Sequence, residues 1–318
     1  MREVAGQIPE NSEALVSAIV RDVTGEKTDS IEHIKGIGMN NSVTIAHTAH
    51  ERFVVRTNVE SHLFRFQREA WCFAQLESTP VLTPKILGCG IISGHSYSVA
   101  PFIVGSKPIG DGIDQLRVWR TLGRYASFLN QVRPPEAGSA ETAYFPMGWE
   151  QQVASDVGLV FKDSFWLDHG LLSADEQELI RNYLLECASI NAPQGVCVFD
   201  LTIGNAVICD SDYDQIYLLD LEMANIAPVP LYQLACIAAD RGPETEVTKT
   251  FLEGYGADGK ELGRIASDLN RFILYRLMRA AAWARDRYPR LLEENIQRTQ
   301  PVLEATLTFI SHGTPSGP

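Results

Sequence analysis

Asp200, Asn205 and Asp220 each close or interrupt an apolar run. In CVFDLTIGNAVIC, Asp200 and Asn205 lie five residues apart between two apolar segments, and in YLLDLEMA, Asp220 follows another. A carboxylate at the end of a buried strand is costly unless something pairs with it. An amide carbonyl and a carboxylate are hard oxygen donors of the kind a magnesium ion takes. The remaining carboxylate is then free to orient a substrate hydroxyl and accept its proton. Taken singly, Asp200 reads as well as a turn residue, and Asp220 as a helix cap ahead of Glu222. Their joint spacing and the residues upstream favour a site.

Upstream, Gly36-Ile37-Gly38-Met39-Asn40-Asn41-Ser42 separates two strand-like segments. Small residues there let backbone N–H groups approach phosphate oxygens, although a GxG pair alone also fits an ordinary hairpin turn. Arg56 ends the apolar run Phe53-Val54-Val55, and Glu69 lies on a segment whose apolar positions Phe66, Ala70, Phe73 and Leu76 share a helical face. An Arg56–Glu69 ion pair would hold the cation toward phosphates.

The elements needed to position these groups can be read around them. Residues 12–24 and 63–76 have helical spacing, and strands are expected at 31–37, 43–46, 52–56, 86–92 and 97–104. Five strands with one helix inserted after the third make a small amino-terminal lobe, residues 1–104. The turn-rich run Gly105-Ser106-Lys107-Pro108-Ile109-Gly110 reads as a hinge. Long helices are expected beyond it, at 116–132, 173–188, 231–240, 245–255 and 262–288. Ser173-Ala174-Asp175-Glu176 has the form of a capping box. Short strands are expected at 196–199 with 206–209, and at 216–221. Residues 105–318 thus form a larger, mainly helical lobe, and the expected fold class is α+β.

Charge narrows the partners. Forty acidic residues against 27 basic ones leave a net charge of −13, which argues against nucleic acid. Eleven acids and nine bases precede Gly105, so 29 and 18 follow it, and the second lobe carries about −11. Such a surface steers cationic small molecules, though an acid excess also serves solubility alone. Asp156, Asp163, Asp168, Asp240, Glu244 and Glu246 are candidate contacts for a cationic acceptor. No apolar run reaches the ~20 residues of a membrane span, and the first residues lack a signal-peptide pattern. The six cysteines form no CxxC pair, which fits buried free thiols and a cytoplasmic protein. A P-loop is absent, because Gly256-Ala257-Asp258-Gly259-Lys260-Glu261 lacks both the spacing and the hydroxyl.

The order glycine loop, basic strand, glutamate helix, linker, Asp-x-x-x-x-Asn and Asp resembles the aminoglycoside phosphotransferase family, relatives of protein kinases and choline kinase. The resemblance runs from about Ile31 to Trp283. The layout is most similar to the hygromycin B phosphotransferases, which carry arginine at the basic-strand position and an aromatic-rich insertion like Tyr144-Phe145-Pro146-Met147-Gly148-Trp149. The resemblance implies a two-lobed protein-kinase-like fold with a small antiparallel-sheet lobe. It implies ATP or GTP with magnesium as cofactors, and a small-molecule hydroxyl acceptor, cationic and aminoglycoside-like. Asp200 would be the catalytic carboxylate, with Asn205 and Asp220 as magnesium ligands. Arg56, steadied by Glu69, would contact the phosphates beneath the loop Gly38, Asn40, Asn41 and Ser42. Ala100, Phe102 and Ile103 would meet the adenine edge through main-chain groups, since Pro101 has no N–H.

The sequence departs from the family pattern in three places. Val198-Phe199 replaces the usual His-Gly or His-Ala before the catalytic aspartate, Pro228-Val229-Pro230 replaces Gly-Asp-Pro, and Gln233 stands where an acid is expected. The resemblance implies that these positions mostly buttress the loop rather than touch the reacting phosphate, and loss of the histidine implies that apolar packing replaces its polar support. The alternative readings are a kinase for an amino sugar, choline-like alcohol, nucleoside or macrolide, and a nucleotide-binding scaffold without turnover.

Overall fold

The computed structural model describes residues 13–34, 41–110, 112–209 and 212–312. Its first layer is helix α1 (Glu13–Thr24), whose Val16, Ile19 and Val20 recur at helical spacing and are fully buried. They pack on a sheet of β1 (Thr28–Ile34), β2 (Ser42–Thr48), β3 (Arg52–Val59), β4 (Gly88–Ile92) and β5 (His95–Pro101). The strand order is β1-β2-β3-β5-β4, all antiparallel. Alternation along β3 decides what each face receives. Phe53 and Val55 turn into the cluster beneath α1, so Arg56 faces the opposite side. Helix α2 (Leu63–Leu76), inserted between β3 and β4, lies on that side and matches its expected bounds. The expected strand at 31–37 is observed as β1, three residues earlier at its start. Gly38 and Asn40 of the glycine loop lie outside the described residues.

The connection to the second lobe is stitched down. Ser106 N–H donates to the Ile208 carbonyl and Ile208 N–H donates to that of Ser106, both at 2.9 Å. The expected hinge is therefore tied to the 206–208 strand of the second lobe from its second residue. Beyond it run α3 (Gln115–Gln131), α4 (Trp149–Val160), the single turn α5 (Phe165–Asp168) and α6 (Ala174–Leu185). Ser173 caps α6 through the full capping box with Glu176. Then come β6 (Gln194–Val198), β7 (Ala206–Ile208), β8 (Ile216–Leu218) and β9 (Ala224–Pro228). Helices α7 (Leu231–Arg241), α8 (Glu246–Tyr255), α9 (Gly259–Arg287) and α10 (Leu292–His312) complete the lobe.

Two expectations change here. The 196–199 segment does not pair with 206–209; β6 pairs with β9, and β7 pairs with β8. Strand β9 ends in Pro228 and runs into Pro230, so its sequence reads as a turn, yet Val196↔Ile226 pairing holds it as the partner of β6. Helix α10 was not foreseen either, because Pro301 in its interior reads as a breaker. No helix among the described residues is long and apolar enough to cross a membrane.

The tightest crossing in the lobe is α3 against α8. A Cβ added to Gly254 would fall well inside contact distance of the Arg120 carbonyl oxygen, and one on Gly123 would strike that of Phe251. On an open helix face Gly→Ala gains up to ~1 kcal/mol of propensity. Here backbone meets backbone, so Gly254→Ala should instead lose ~1–3 kcal/mol by overpacking. Urea unfolding of Gly254→Ala beside Gly259→Ala, where the added Cβ meets nothing, gives the comparison.

Candidate active site

The strand pairs bring together the polar residues that interrupt them. Asp200 lies two residues beyond β6, and its main-chain carbonyl accepts a hydrogen bond from Asn205 Nδ2 at 3.0 Å. That bond uses the amide nitrogen of Asn205 and leaves its Oδ1 as a free acceptor. Asn205 immediately precedes β7, and Asp220 lies two residues beyond β8; the Leu219 N–H to Asn205 carbonyl bond (2.9 Å) sets them side by side. The side chain of Asp220 is about one-third exposed and its Oδ1 accepts from Glu222 N–H at 3.2 Å. An amide oxygen and a carboxylate oxygen thus face one cleft, a donor set that fits magnesium and leaves its other positions to water and phosphate. Among the described residues no three His, Cys, Asp or Glu side chains form a metal cage.

Asp200 opens onto solvent through the cleft, but protein crowds it on its other sides. That crowding, followed by the Asp220 charge, raises its pKa above the ordinary carboxylate range, while Asn205 and Arg276 pull it down. A raised pKa suits a group that must take a proton.

Polar support for this loop is retained, contrary to the sequence expectation of purely apolar packing. Gln233 of α7, with no exposed surface, accepts from Val198 N–H through Oε1 at 2.8 Å and donates from Nε2 to the Val198 carbonyl at 3.0 Å. A carboxylate could accept from that N–H but not donate to that carbonyl, so glutamine braces the strand in both directions. Beside it the Arg276 guanidinium of α9 lies 5.2 Å from the centre of the Phe199 ring and 3.5 Å from Asp240. Gln233→Leu keeps the volume but strips both partners from buried main-chain groups, each worth ~1–3 kcal/mol when left unsatisfied. It should lower the melting temperature and reduce kcat more than the nucleotide KM. Gln233→Glu, which keeps the acceptor, should be intermediate in both assays.

On the other side of the cleft, the expected Arg56–Glu69 pair is formed. The carboxylate of Glu69 is completely buried; one oxygen meets Arg56 Nη2 and the other accepts Leu221 N–H at 3.1 Å. Arg56 also donates from Nε to Ser98 Oγ (3.2 Å), and its Nη1 stands 4.0 Å from Asp220. Glu69 therefore aims the cation of one lobe at the Asp220 segment of the other.

The neighbouring residues hold this segment from several directions. Arg68 donates to the Glu222 carbonyl (3.2 Å) and to the Tyr144 carbonyl (2.8 Å). Glu222, nearly fully buried, accepts from Asn41 Nδ2 at 2.5 Å, and Asn58 Nδ2 donates to Asn41 Oδ1 at 2.7 Å. Burial first, then Asp220, raises the pKa of Glu222. The Asn41 side chain is thus engaged on both its amide nitrogen and its oxygen. Ser42 begins β2. Arg68 and Glu222 were not assigned roles from sequence, whereas Gln233 was expected among the positions that buttress the loop. The adjacency of Arg68 to Glu69 and of Glu222 to Asp220 was the available signal.

The adenine-edge expectation narrows. Ala100 is paired with Val54 in the sheet, and the Phe102 N–H donates to the Arg52 carbonyl at 2.8 Å, with the Arg52 guanidinium 4.2 Å from the centre of the Phe102 ring. Phe102 cannot give its N–H to a base as well, which leaves Ile103 as the main-chain donor of the three. Of the six candidate acceptor acids, Asp240 alone acts electrostatically on Asp200. Asp156 is corrected: it is buried, its carboxylate bound by Tyr275 (2.7 Å) and Arg279 (2.6 Å), and it serves the core. Asp163 and Glu244 pair with exposed Lys162 and Lys249, and Asp168 and Glu246 are exposed.

No family model matches the sequence, and no curated protein matches it. Solved structures do match. The aminoglycoside phosphotransferase APH(2")-IIia, in complex with GDP and kanamycin, superposes with a TM-score of 0.66 at 15% identity, over 92% of this chain and 98% of that one. A thermostable mutant of aminoglycoside phosphotransferase APH(4)-Ia gives 0.65 at 12% identity, over 94% and 100%. Choline kinase LicA from Streptococcus pneumoniae gives 0.61 at 12% identity, over 92% and 99%. The chain has the two-lobed, protein-kinase-like fold of these phosphotransferases.

Proposed function

We propose that this chain is a small-molecule kinase that moves the γ-phosphoryl group of ATP or GTP onto a hydroxyl of a cationic acceptor, an aminoglycoside-type antibiotic being the first choice. The observation that carries the reading is the convergence of Asp200, Asn205 and Asp220 on one cleft, with Arg56 directed at Asp220 from the opposite lobe. The likeness in fold to phosphotransferases, two of aminoglycosides and one of choline, supports the same class.

Asp200 orients the acceptor hydroxyl and takes its proton as the oxygen attacks the γ-phosphorus. The bond from that phosphorus to the bridging oxygen breaks, and its electrons leave with the nucleoside diphosphate. Asn205 and Asp220 would hold magnesium, which neutralises charge developing between the β- and γ-phosphates. Arg56 adds a fixed positive charge on the amino-terminal side, oriented by Glu69 before the nucleotide arrives. The acceptor side is acidic: Asp240 lies near Asp200, and the second lobe carries about −11 overall. A polyamine sugar is attracted there more strongly than a singly charged alcohol.

The test is magnesium-dependent release of ADP or GDP with aminoglycosides, choline, amino sugars, nucleosides and macrolides as separate arms. Stimulation by aminoglycosides supports the full reading. Stimulation by another arm alone retains the kinase and replaces its acceptor. Nucleotide binding without stimulation by any arm would favour the scaffold alternative.

A further inference from the structure

Lys107 in the linker forms no ion pair with any described residue. Its Nζ donates to the Gly204 carbonyl at 2.7 Å, and Gly204 lies within the loop between Asp200 and Asn205. No carboxylate stands within ion-pair distance of it among the described residues. A neutral carbonyl satisfies one of its three N–H donors. The position is not incidental to a mobile linker, because the reciprocal Ser106–Ile208 hydrogen bonds fix the preceding residue against the end of β7. Partial burial lowers the Lys107 pKa, and Asp220 is the charge that acts against that shift. The ammonium is therefore held near the same carboxylate that Arg56 approaches from the opposite lobe.

We propose that Lys107 is a second protein cation of the phosphate site, a nucleotide-binding residue supplied by the linker that contacts a phosphate oxygen of the bound nucleoside triphosphate or diphosphate. The inference rests on the kinase reading of this cleft. An exposed ammonium held by a single neutral acceptor gains a stronger contact from a ligand that brings negative charge. Swinging from the Gly204 carbonyl to a phosphate exchanges an ammonium–carbonyl hydrogen bond for one in which donor and acceptor are both charged. The Ser106–Ile208 bridge is made by main-chain atoms, so removing the Lys107 side chain leaves the linker attached.

The test measures affinity for adenosine, magnesium-ADP and magnesium-ATP by calorimetry, and melting temperature without ligand, for the wild type, Lys107→Met and Lys107→Arg. The expected result for Lys107→Met is a loss of ~10-fold or more in ADP or ATP affinity, with adenosine affinity and melting temperature unchanged and partial recovery in Lys107→Arg. Equal loss across all three ligands, or a lower melting temperature with unaltered preference among them, would show that Lys107 only fastens the linker to the Gly204 loop, and overturns the proposal. A wild type that binds phosphate-bearing nucleotides together with a Lys107→Met that binds them equally well also overturns it, while the kinase reading stands. A wild type that binds none of the three overturns both.

Discussion

Asp200→Asn is expected to lower kcat by ~10²–10⁴-fold, the range a positioned general base contributes. The amide keeps the shape of the side chain and can still accept a hydrogen bond from the acceptor hydroxyl, but it cannot take the proton. KM for the nucleotide should move little, since Arg56, Asn205 and Asp220 are untouched. Stability should move in the opposite direction from activity. The Asp200 pKa is raised in the folded protein by crowding and by Asp220, so at neutral pH its ionised form is disfavoured by folding. Removing that charge should leave the melting temperature equal or higher. Loss of turnover with a gain in thermal stability would separate a chemical role from a structural one. Coupled release of nucleoside diphosphate and a thermal melt on the same preparation provide both readings. Unchanged turnover would remove Asp200 from the reaction.

The sequence was most informative where chemistry and periodicity coincide. Arg56 could be placed because β3 alternates and apolar residues occupy the other phase, and Glu69 because α2 has unbroken helical spacing at its expected bounds. Asp200, Asn205 and Asp220 were legible because polar residues that break apolar runs are few. Pairings that depend on tertiary packing were less visible. β6 could not be matched to β9 from local pattern, since the paired residues lie 26 to 34 positions apart and the second strand ends in proline. The polar, two-way form of the brace on the Asp200 loop was missed for a related reason, although Gln233 was expected to buttress that loop. Gln233 differs from an acid by its donor amide group, which gains meaning only when the Val198 carbonyl is seen beside it. Helix α10 stayed hidden because Pro301 contradicts its local propensity while Leu303, Thr299 and Thr306 bury its inner face. Asp156 shows the converse error: an acid counted toward the cleft by charge alone is spent on Tyr275 and Arg279 inside the lobe.

Glu69→Gln should raise the apparent KM for magnesium-ATP by ~10-fold or more, taking a lost charge-assisted contact as 1.5–3 kcal/mol. The substitution keeps an oxygen for the Leu221 N–H, so α2 stays connected to the metal-binding segment, but it leaves Arg56 without its buried counter-charge. The nearest remaining carboxylate is Asp220, 4.0 Å from Nη1. Arg56 is then drawn toward the oxygen that magnesium needs, and the cation meant to receive phosphate competes with the metal instead. Higher magnesium should recover part of the loss, whereas a simple packing defect would not respond to it. Stability should also fall, since removing one member of a buried pair leaves the other charge uncompensated, a cost of up to ~3–5 kcal/mol that the partly open cleft will reduce. The double variant Arg56→Met, Glu69→Met separates these two effects. Replacing both charges by apolar groups of similar volume is neutral or stabilising in many buried pairs, so the melting temperature should return toward that of the wild type. The nucleotide KM should stay high, because no charge then faces the phosphates from this strand. Recovery of KM together with stability would mean that the pair only holds α2 against the sheet and that phosphate recognition lies elsewhere in the cleft.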